Sequence, residues 1–113
     1  MQLTVKDGNG NPATIIVQAN DTPADKSGIL ADNNSFPALA PNPARSGYFF
    51  QNQGLNAMYV NDIGEAATVT TAQGGSSIVV QPLGTFPPPG YPVFTGQISI
   101  IGTAGDPFIL REW

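Results

Sequence analysis

The residues best able to do chemistry in this sequence are its carboxylates, because paired acids can hydrolyse glycosides. Asp62 and Glu65 are the closest acidic pair outside the proline-rich region at residues 20–46. They flank Ile63 and Gly64, a spacing typical of a turn between strands, where acidic side chains are ordinarily solvated. No other polar cluster marks a cleft beside them. We therefore expect no catalytic residue and no enzymatic activity.

A second group of oxygen-bearing side chains lies in the segment DGNGN. Asp7, Asn9 and Asn11 alternate like the first calcium ligands of an EF-hand loop. The match then fails, because Pro12 stands where that loop needs glycine and Gln18 stands where it needs a bidentate glutamate. The segment favours a hairpin turn, since Asp-Gly and Asn-Gly supply the positive φ that such turns require.

The absence of Cys and His narrows the chemistry further. It excludes zinc fingers, thiol nucleophiles, Ser-His-Asp triads and haem ligation by histidine. The run Gly-Gly-Ser-Ser at residues 74–77 lacks the lysine and the following helix of a phosphate-binding P-loop, and it favours a tight turn. We expect neither a metal nor a cofactor.

Charge and hydropathy exclude two kinds of partner. The chain of 113 residues has a net charge of −4, and its four basic residues, Lys6, Lys26, Arg45 and Arg111, form no cluster that could neutralise several phosphates. No apolar stretch approaches the length of a membrane span, and the start MQLTVKDGNG lacks the regions of a signal peptide. We expect no nucleic-acid partner, no membrane partner and no Sec export.

Aromatic residues outside the predicted strands are the remaining candidates for binding. Tyr91 and Phe94 follow the segment PPPG and could form either a sugar-stacking platform or a protein-docking surface. Trp113 ends the chain, where a large indole is exposed unless it packs against another surface.

These candidates must be positioned by short strands. Thirteen Gly and eleven Pro punctuate runs rich in β-branched and aromatic residues, and apolar residues never recur at helical spacing. The pattern predicts an all-β fold, an antiparallel β-sandwich of jelly-roll type formed by residues 47–113. The proline-rich insert at 82–94 is expected along an edge or across one end. The predicted strands lie at residues 47–53, 57–63, 66–71, 76–81, 96–102 and 107–112.

Two further regions precede the predicted sandwich. Residues 1–19 alternate apolar and polar side chains on both sides of a turn, which predicts a β-hairpin. Residues 20–46 carry four prolines and no strand pattern, which predicts an extended arm. A flexible linker would leave apolar side chains exposed to water, so we expect the arm to dock on a partner surface. Its apolar residues are Ile29, Leu30, Phe36 and Leu39.

Several short motifs connect the chain to a known class of proteins. They are Arg45 before the first core strand, Gln51-Asn52, Tyr59-Val60, Ala67-Thr68, Pro82 to Gly84, and Thr95 to Ile98. With these motifs the chain resembles the small β-sandwich virion proteins of tailed bacteriophages. The opening QLTVKDGNGNPATIIVQA is likewise similar to short N-terminal hairpins on phage structural proteins.

The resemblance implies a capsid decoration protein, or cement protein, that binds the outside of a head and staples neighbouring major capsid protein subunits. Such proteins are often homotrimers. The resemblance also implies synthesis in the host cytoplasm and a final location on the capsid surface of the virion. We expect the arm residues, Tyr91, Phe94 and Trp113 to bind the partner. Two alternatives remain open: a carbohydrate-binding module that uses Tyr91, and a component of a phage tail or baseplate.

Overall fold

The strands of the protein are short and antiparallel. The computed structural model describes residues 2–6, 12–16, 23–69 and 75–113, and within them it contains no helix and so no membrane-spanning helix. The strands are β1 (Gln2–Lys6), β2 (Pro12–Ile16), β3 (Ala24–Asp25), β4 (Gly28–Ile29), β5 (Phe36–Leu39), β6 (Tyr48–Asn52), β7 (Met58–Asn61), β8 (Ile78–Val80), β9 (Thr85–Phe86), β10 (Ile98–Ile101) and β11 (Pro107–Glu112).

Nine of these strands form two packed sheets. Sheet I has the strand order β5-β10-β7-β8, and sheet II has the order β3-β11-β6-β9, with β4 also paired to β11. All pairings are antiparallel. The predicted all-β sandwich is therefore confirmed, while its jelly-roll connectivity stays a prediction.

The core lies between the sheets because apolar residues alternate along the strands. In β6, Tyr48, Phe50 and Asn52 are buried, whereas Phe49 between them is exposed. The phenyl rings of Phe50 and Phe108 lie 6.1 Å apart between centroids. The core side chains are Leu30, Leu39, Tyr48, Phe50, Met58, Val60, Val80, Phe86, Ile98, Ile100, Phe108 and Leu110.

One predicted strand, at 66–71, is wrong over residues 66–69, which form no strand. The backbone N–H of Ala67 donates to the Ser35 hydroxyl at 2.9 Å, and that of Thr68 donates to the Ser77 hydroxyl at 3.0 Å. These donors are satisfied by side chains and not by a neighbouring strand. Residues 70–71 lie outside the described residues, as does Gly74 of the predicted Gly-Gly-Ser-Ser turn.

The other strand predictions agree with the structure. Strands β6, β7, β8, β10 and β11 lie within the predicted ranges 47–53, 57–63, 76–81, 96–102 and 107–112. The proline-rich insert contributes β9, which pairs with β6 at the edge of sheet II. An edge position suits this segment, because a proline there removes no interior ladder hydrogen bond.

The region expected to be a free arm instead forms an edge of sheet II. Strands β3 and β4 pair with successive parts of β11. Between them the Lys26 N–H donates to the Leu110 carbonyl at 2.7 Å, and the Ser27 hydroxyl accepts from the Leu110 N–H at 3.0 Å. The segment therefore accompanies β11 along most of its length.

The same region also completes sheet I and the core. Strand β5 pairs with β10, and it brings Leu39 into the interior at 1% exposure. Leu30 is 4% exposed, and its N–H donates to the Asp106 carbonyl at 3.0 Å. Residues 23–46 thus belong to the sandwich, which corrects the expected boundary at residue 47. Residues 20–22 lie outside the described residues.

Strands β1 and β2 form a separate two-stranded sheet. Their register runs from Gln2 opposite Ile16 to Lys6 opposite Pro12, and neither strand pairs with any other described strand. The predicted turn with Asp7, Asn9 and Asn11 lies outside the described residues.

Candidate binding groove

An open groove of about 320 Å³ lies beside the turn that follows β7. One wall comes from Asp62 and Ile63, and the other comes from residues 91–94 of the loop between β9 and β10. The groove therefore brings together Tyr91 and Phe94, the two aromatic residues that the sequence indicated as a platform, with a carboxylate that the sequence assigned to solvent.

Asp62 is buried, at 5% exposure, and not solvated as expected. The turn is shaped by Asn61, whose amide oxygen accepts from the N–H groups of Ile63 and Glu65 at 3.1 and 3.2 Å. Its amide nitrogen donates to the Ser76 hydroxyl at 3.3 Å. Asn61 holds the turn against the start of β8, so Asp62 faces inward while Glu65 is exposed.

Tyr91 is held in place although it is partly exposed. Its ring packs edge-on against Phe86, with the ring centroids 5.2 Å apart and an interplanar angle of 64°. Hydrogen bonding to Asp62, with burial as the second cause, raises the pKa of the Tyr91 phenol. The ring therefore offers an accessible face without free rotation of the side chain.

Tyr48 extends the aromatic cluster inward. Its ring centroid lies 6.2 Å from that of Phe86, and its buried hydroxyl has no hydrogen-bond partner among the described residues. Burial raises the pKa of the Tyr48 phenol above its ordinary range, and the charge of Asp62 raises it further. A buried hydroxyl without a partner costs about 1–3 kcal/mol, so this position is not optimised for stability.

The raised pKa of Tyr48 predicts a loss of stability at high pH. The unfolded chain releases the phenol proton near its ordinary pKa of about 10, whereas the folded chain holds it to higher pH. Above that pH the unfolded state binds fewer protons, so the free energy of unfolding falls by about 1.4 kcal/mol per pH unit from this one group. Urea unfolding between about pH 8 and pH 11, which brackets the ordinary pKa of a tyrosine, measures the slope.

The variant Tyr48→Phe removes this contribution. We expect a shallower pH dependence, and at neutral pH a free energy of unfolding higher by about 1 kcal/mol, because the unpaired hydroxyl is gone. Tyr59→Phe, which removes the hydroxyl of a half-buried tyrosine on β7, is the control and should keep the Tyr48 slope. An unchanged slope in Tyr48→Phe would contradict the assignment.

Arg45 fixes the far wall of the groove from behind. Its guanidinium donates to the carbonyls of Phe94 and Gly96 at 2.6 and 2.9 Å, and to that of Ala40 at 2.8 Å. It also pairs with Glu112 at 2.9 Å. Phe94 lies over Gly96, where a Cβ would collide with the phenyl ring. One buried side chain thus joins the residue after β5, the loop before β10 and the end of β11.

The arm residues expected to bind a partner fall into two groups. Leu30 and Leu39 are core residues, so in this fold they are not available as anchors. Ile29 and Phe36 are exposed, and they line a smaller pocket of about 160 Å³. Phe36 also packs 6.4 Å from Phe108 between ring centroids, so Ile29 is the more accessible of the two.

Trp113 is half-buried and does not extend from the chain end. Its backbone N–H donates to the Gly47 carbonyl at 3.0 Å, and its backbone carbonyl accepts from the Gly47 N–H at 3.1 Å. Its ring lies so close to Gly47 that a Cβ there would be 2.6 Å from a ring carbon. A larger residue at position 47 would displace the indole, which packs against this end of the sandwich.

Buried amides form a second set of polar residues that the sequence did not indicate. Asn52 donates to the carbonyls of Asn56 and Val80 at 2.8 and 2.9 Å, and its oxygen accepts from the Gly54 N–H at 2.8 Å. Every polar atom of this side chain has a partner, so Asn52 stabilises the link between the sheets and offers nothing to a ligand.

No family model, curated protein or solved structure matches this chain. Over the described ranges 23–69 and 75–113, no three acidic side chains converge as a metal site would require. The groove is lined by the aromatic residues Tyr91 and Phe94, the buried Asp62 and further apolar side chains.

Proposed function

We propose that the protein is a non-enzymatic structural protein of a bacteriophage virion. In this proposal it decorates the outside of the head as a homotrimer and staples neighbouring major capsid protein subunits. The resemblance of its motifs to small virion proteins suggests the class. The observation that supports attachment is the two-stranded sheet formed by β1 and β2.

Two strands alone are marginally stable in water, because they cannot bury enough apolar surface. Strands β1 and β2 pair with each other and with no other described strand. Among the described strands, neither outer edge of this sheet has a partner, so each could accept an added strand, a common way for one protein to bind another. A capsid surface that supplies a further strand would stabilise the pair and hold the sandwich on the head.

The sandwich offers a second contact in the exposed side chains left by the corrected arm. Ile29 is 68% exposed at the edge of sheet II, near the half-exposed ring of Phe36. This pair takes over the docking role first expected of four arm residues. The remaining two, Leu30 and Leu39, contribute to the fold.

The test is binding to purified heads that lack the protein, measured by co-sedimentation. The full chain is expected to sediment with the heads, and image reconstruction of the decorated heads should show its density in groups of three. A shortened chain of residues 23–113 keeps all described core side chains, and it should remain folded yet lose most of its binding.

Point variants separate the second contact from the first. Ile29→Ser should weaken binding severalfold, because one exposed apolar anchor is lost. Leu55→Ser replaces a side chain that is 90% exposed outside both pockets, and it should bind normally. Full occupancy by residues 23–113 would show that β1 and β2 are not the attachment element. Absence of the full chain from the heads would refute the proposed function.

A further inference from the structure

We propose that the groove between Asp62 and Tyr91 binds a neutral pyranose sugar. The sugar stacks on the Tyr91 ring and donates hydroxyl hydrogen bonds to Asp62. This inference depends on the groove alone and does not require a location on the virion.

The apolar part of the groove suits the C–H face of a pyranose ring. Tyr91, Pro92 and Val93 present apolar surface along one wall. The Tyr91 ring is already oriented by its edge-on contact with Phe86. Binding therefore costs little further side-chain entropy, which is the usual advantage of a rigid aromatic platform.

The polar part of the groove is the Asp62 carboxylate, which suits a ligand that donates hydrogen bonds. An ionised carboxylate only accepts hydrogen bonds, and two oxygens provide about four acceptor positions. Asp62 forms no ion pair with a lysine or arginine among the described residues. The ion pair found there joins Arg45 to Glu112. Donors from a ligand would stabilise this buried charge.

The sign of that charge and the neighbouring phenol select the kind of donor. A carboxylate or phosphate on the ligand would be repelled by Asp62. A lysine or arginine side chain could donate but could not accept a hydrogen bond. The phenol of Tyr91, which is partly exposed and lines the groove with Asp62, can both donate and accept a hydrogen bond. A sugar hydroxyl both donates and accepts, directly or through a bridging water.

The experiment is saturation-transfer NMR with the full chain. The probes are the methyl glycosides of glucose, galactose and mannose, their neutral disaccharides, glucuronic acid and N-acetyl-lysine amide. We expect transfer to at least one neutral sugar, strongest at its C–H face, and none to glucuronic acid. Tyr91→Ala should abolish the signal. Tyr59→Ala, which replaces a tyrosine of β7 outside the groove, is the matched control and should retain it.

Tyr48→Phe is a second control, because the Tyr48 hydroxyl is buried and the residue does not line the groove. We expect the variant to be more stable than the parent and to bind the sugar equally well. Equal sugar binding by Tyr91→Ala and the parent would overturn the inference. So would transfer to the lysine probe but to no sugar, which would indicate a basic peptide, or no transfer to any sugar at about 10 mM, well above a millimolar Kd.

Discussion

A chain that begins at residue 47 is expected not to fold. The sequence alone favoured residues 47–113 as a complete sandwich, but removal of residues 1–46 takes away an edge strand from each sheet. Strand β5 covers one side of β10, and strands β3 and β4 cover one side of β11. Their loss would expose the backbone groups of two strands whose side chains fill the core.

The free-energy cost is comparable to the whole stability of a small domain. Truncation of a buried leucine to alanine costs about 2–5 kcal/mol, so the loss of Leu30 and Leu39 alone removes about 4–10 kcal/mol. Domains of this kind are stable by only about 5–15 kcal/mol. Arg45 is lost as well, which leaves Glu112 at the end of β11 without its cation.

The need for residues 1–46 in folding is tested with three chains: the full chain, residues 23–113 and residues 47–113. Each is measured by amide chemical-shift dispersion and by thermal unfolding. The first two should give dispersed spectra and cooperative unfolding, because both keep every described core side chain. The third should give the narrow dispersion of an unfolded chain. A cooperative transition in residues 47–113 would mean that the arm is dispensable, as the sequence first suggested.

The strands of the sandwich could be predicted from sequence because their signal is local. Alternation in the segment YFFQN places Tyr48, Phe50 and Asn52 on one face, and that face is buried. Glycine and proline mark the ends of such runs, so five of the six predicted ranges contain an observed strand. The failure at 66–69 has a local cause too, since two serine hydroxyls take the backbone donors there.

The arm could not be predicted in this way because its strands are too short to alternate. Strands β3 and β4 have two residues each, and Ser27 replaces a backbone partner between them. Such pairing is dictated by β11, which lies far along the chain: Ser27 and its partner Leu110 are 83 positions apart. Proline content indicated an irregular backbone correctly, but it carries no information about which surface that backbone covers.

The groove was half predictable for a similar reason. Tyr91 and Phe94 stood out as aromatic residues in a proline-rich loop, and both line the groove. Asp62 did not, because an acidic residue in a turn is ordinarily solvated. Its burial follows from the neighbouring Asn61, whose amide fixes the turn, and from a loop that arrives from the other sheet. Only the tertiary structure brings these segments together.

Replacement of Arg45 by methionine is expected to be the most destabilising single substitution at a polar position. The guanidinium side chain has 0% exposure, and it makes four hydrogen bonds to groups that would lose a donor. Methionine keeps the apolar stem but leaves Glu112 as a nearly buried, unpaired charge. Breaking a buried ion pair from one side costs about 3–5 kcal/mol.

The measurement is thermal and urea unfolding of Arg45→Met beside two matched variants. At about 4 °C per kcal/mol for a domain of this size, the Tm should fall by roughly 12–20 °C. Arg111→Met removes an exposed arginine from the same strand as Glu112, and it should change stability by less than about 0.5 kcal/mol. Adding Glu112→Gln to Arg45→Met should restore part of the loss, because the stranded charge is removed while the three carbonyls still lack their donor. If Arg45→Met and Arg111→Met unfold at the same temperature, the buried ion pair does not hold β5, the groove wall and β11 together.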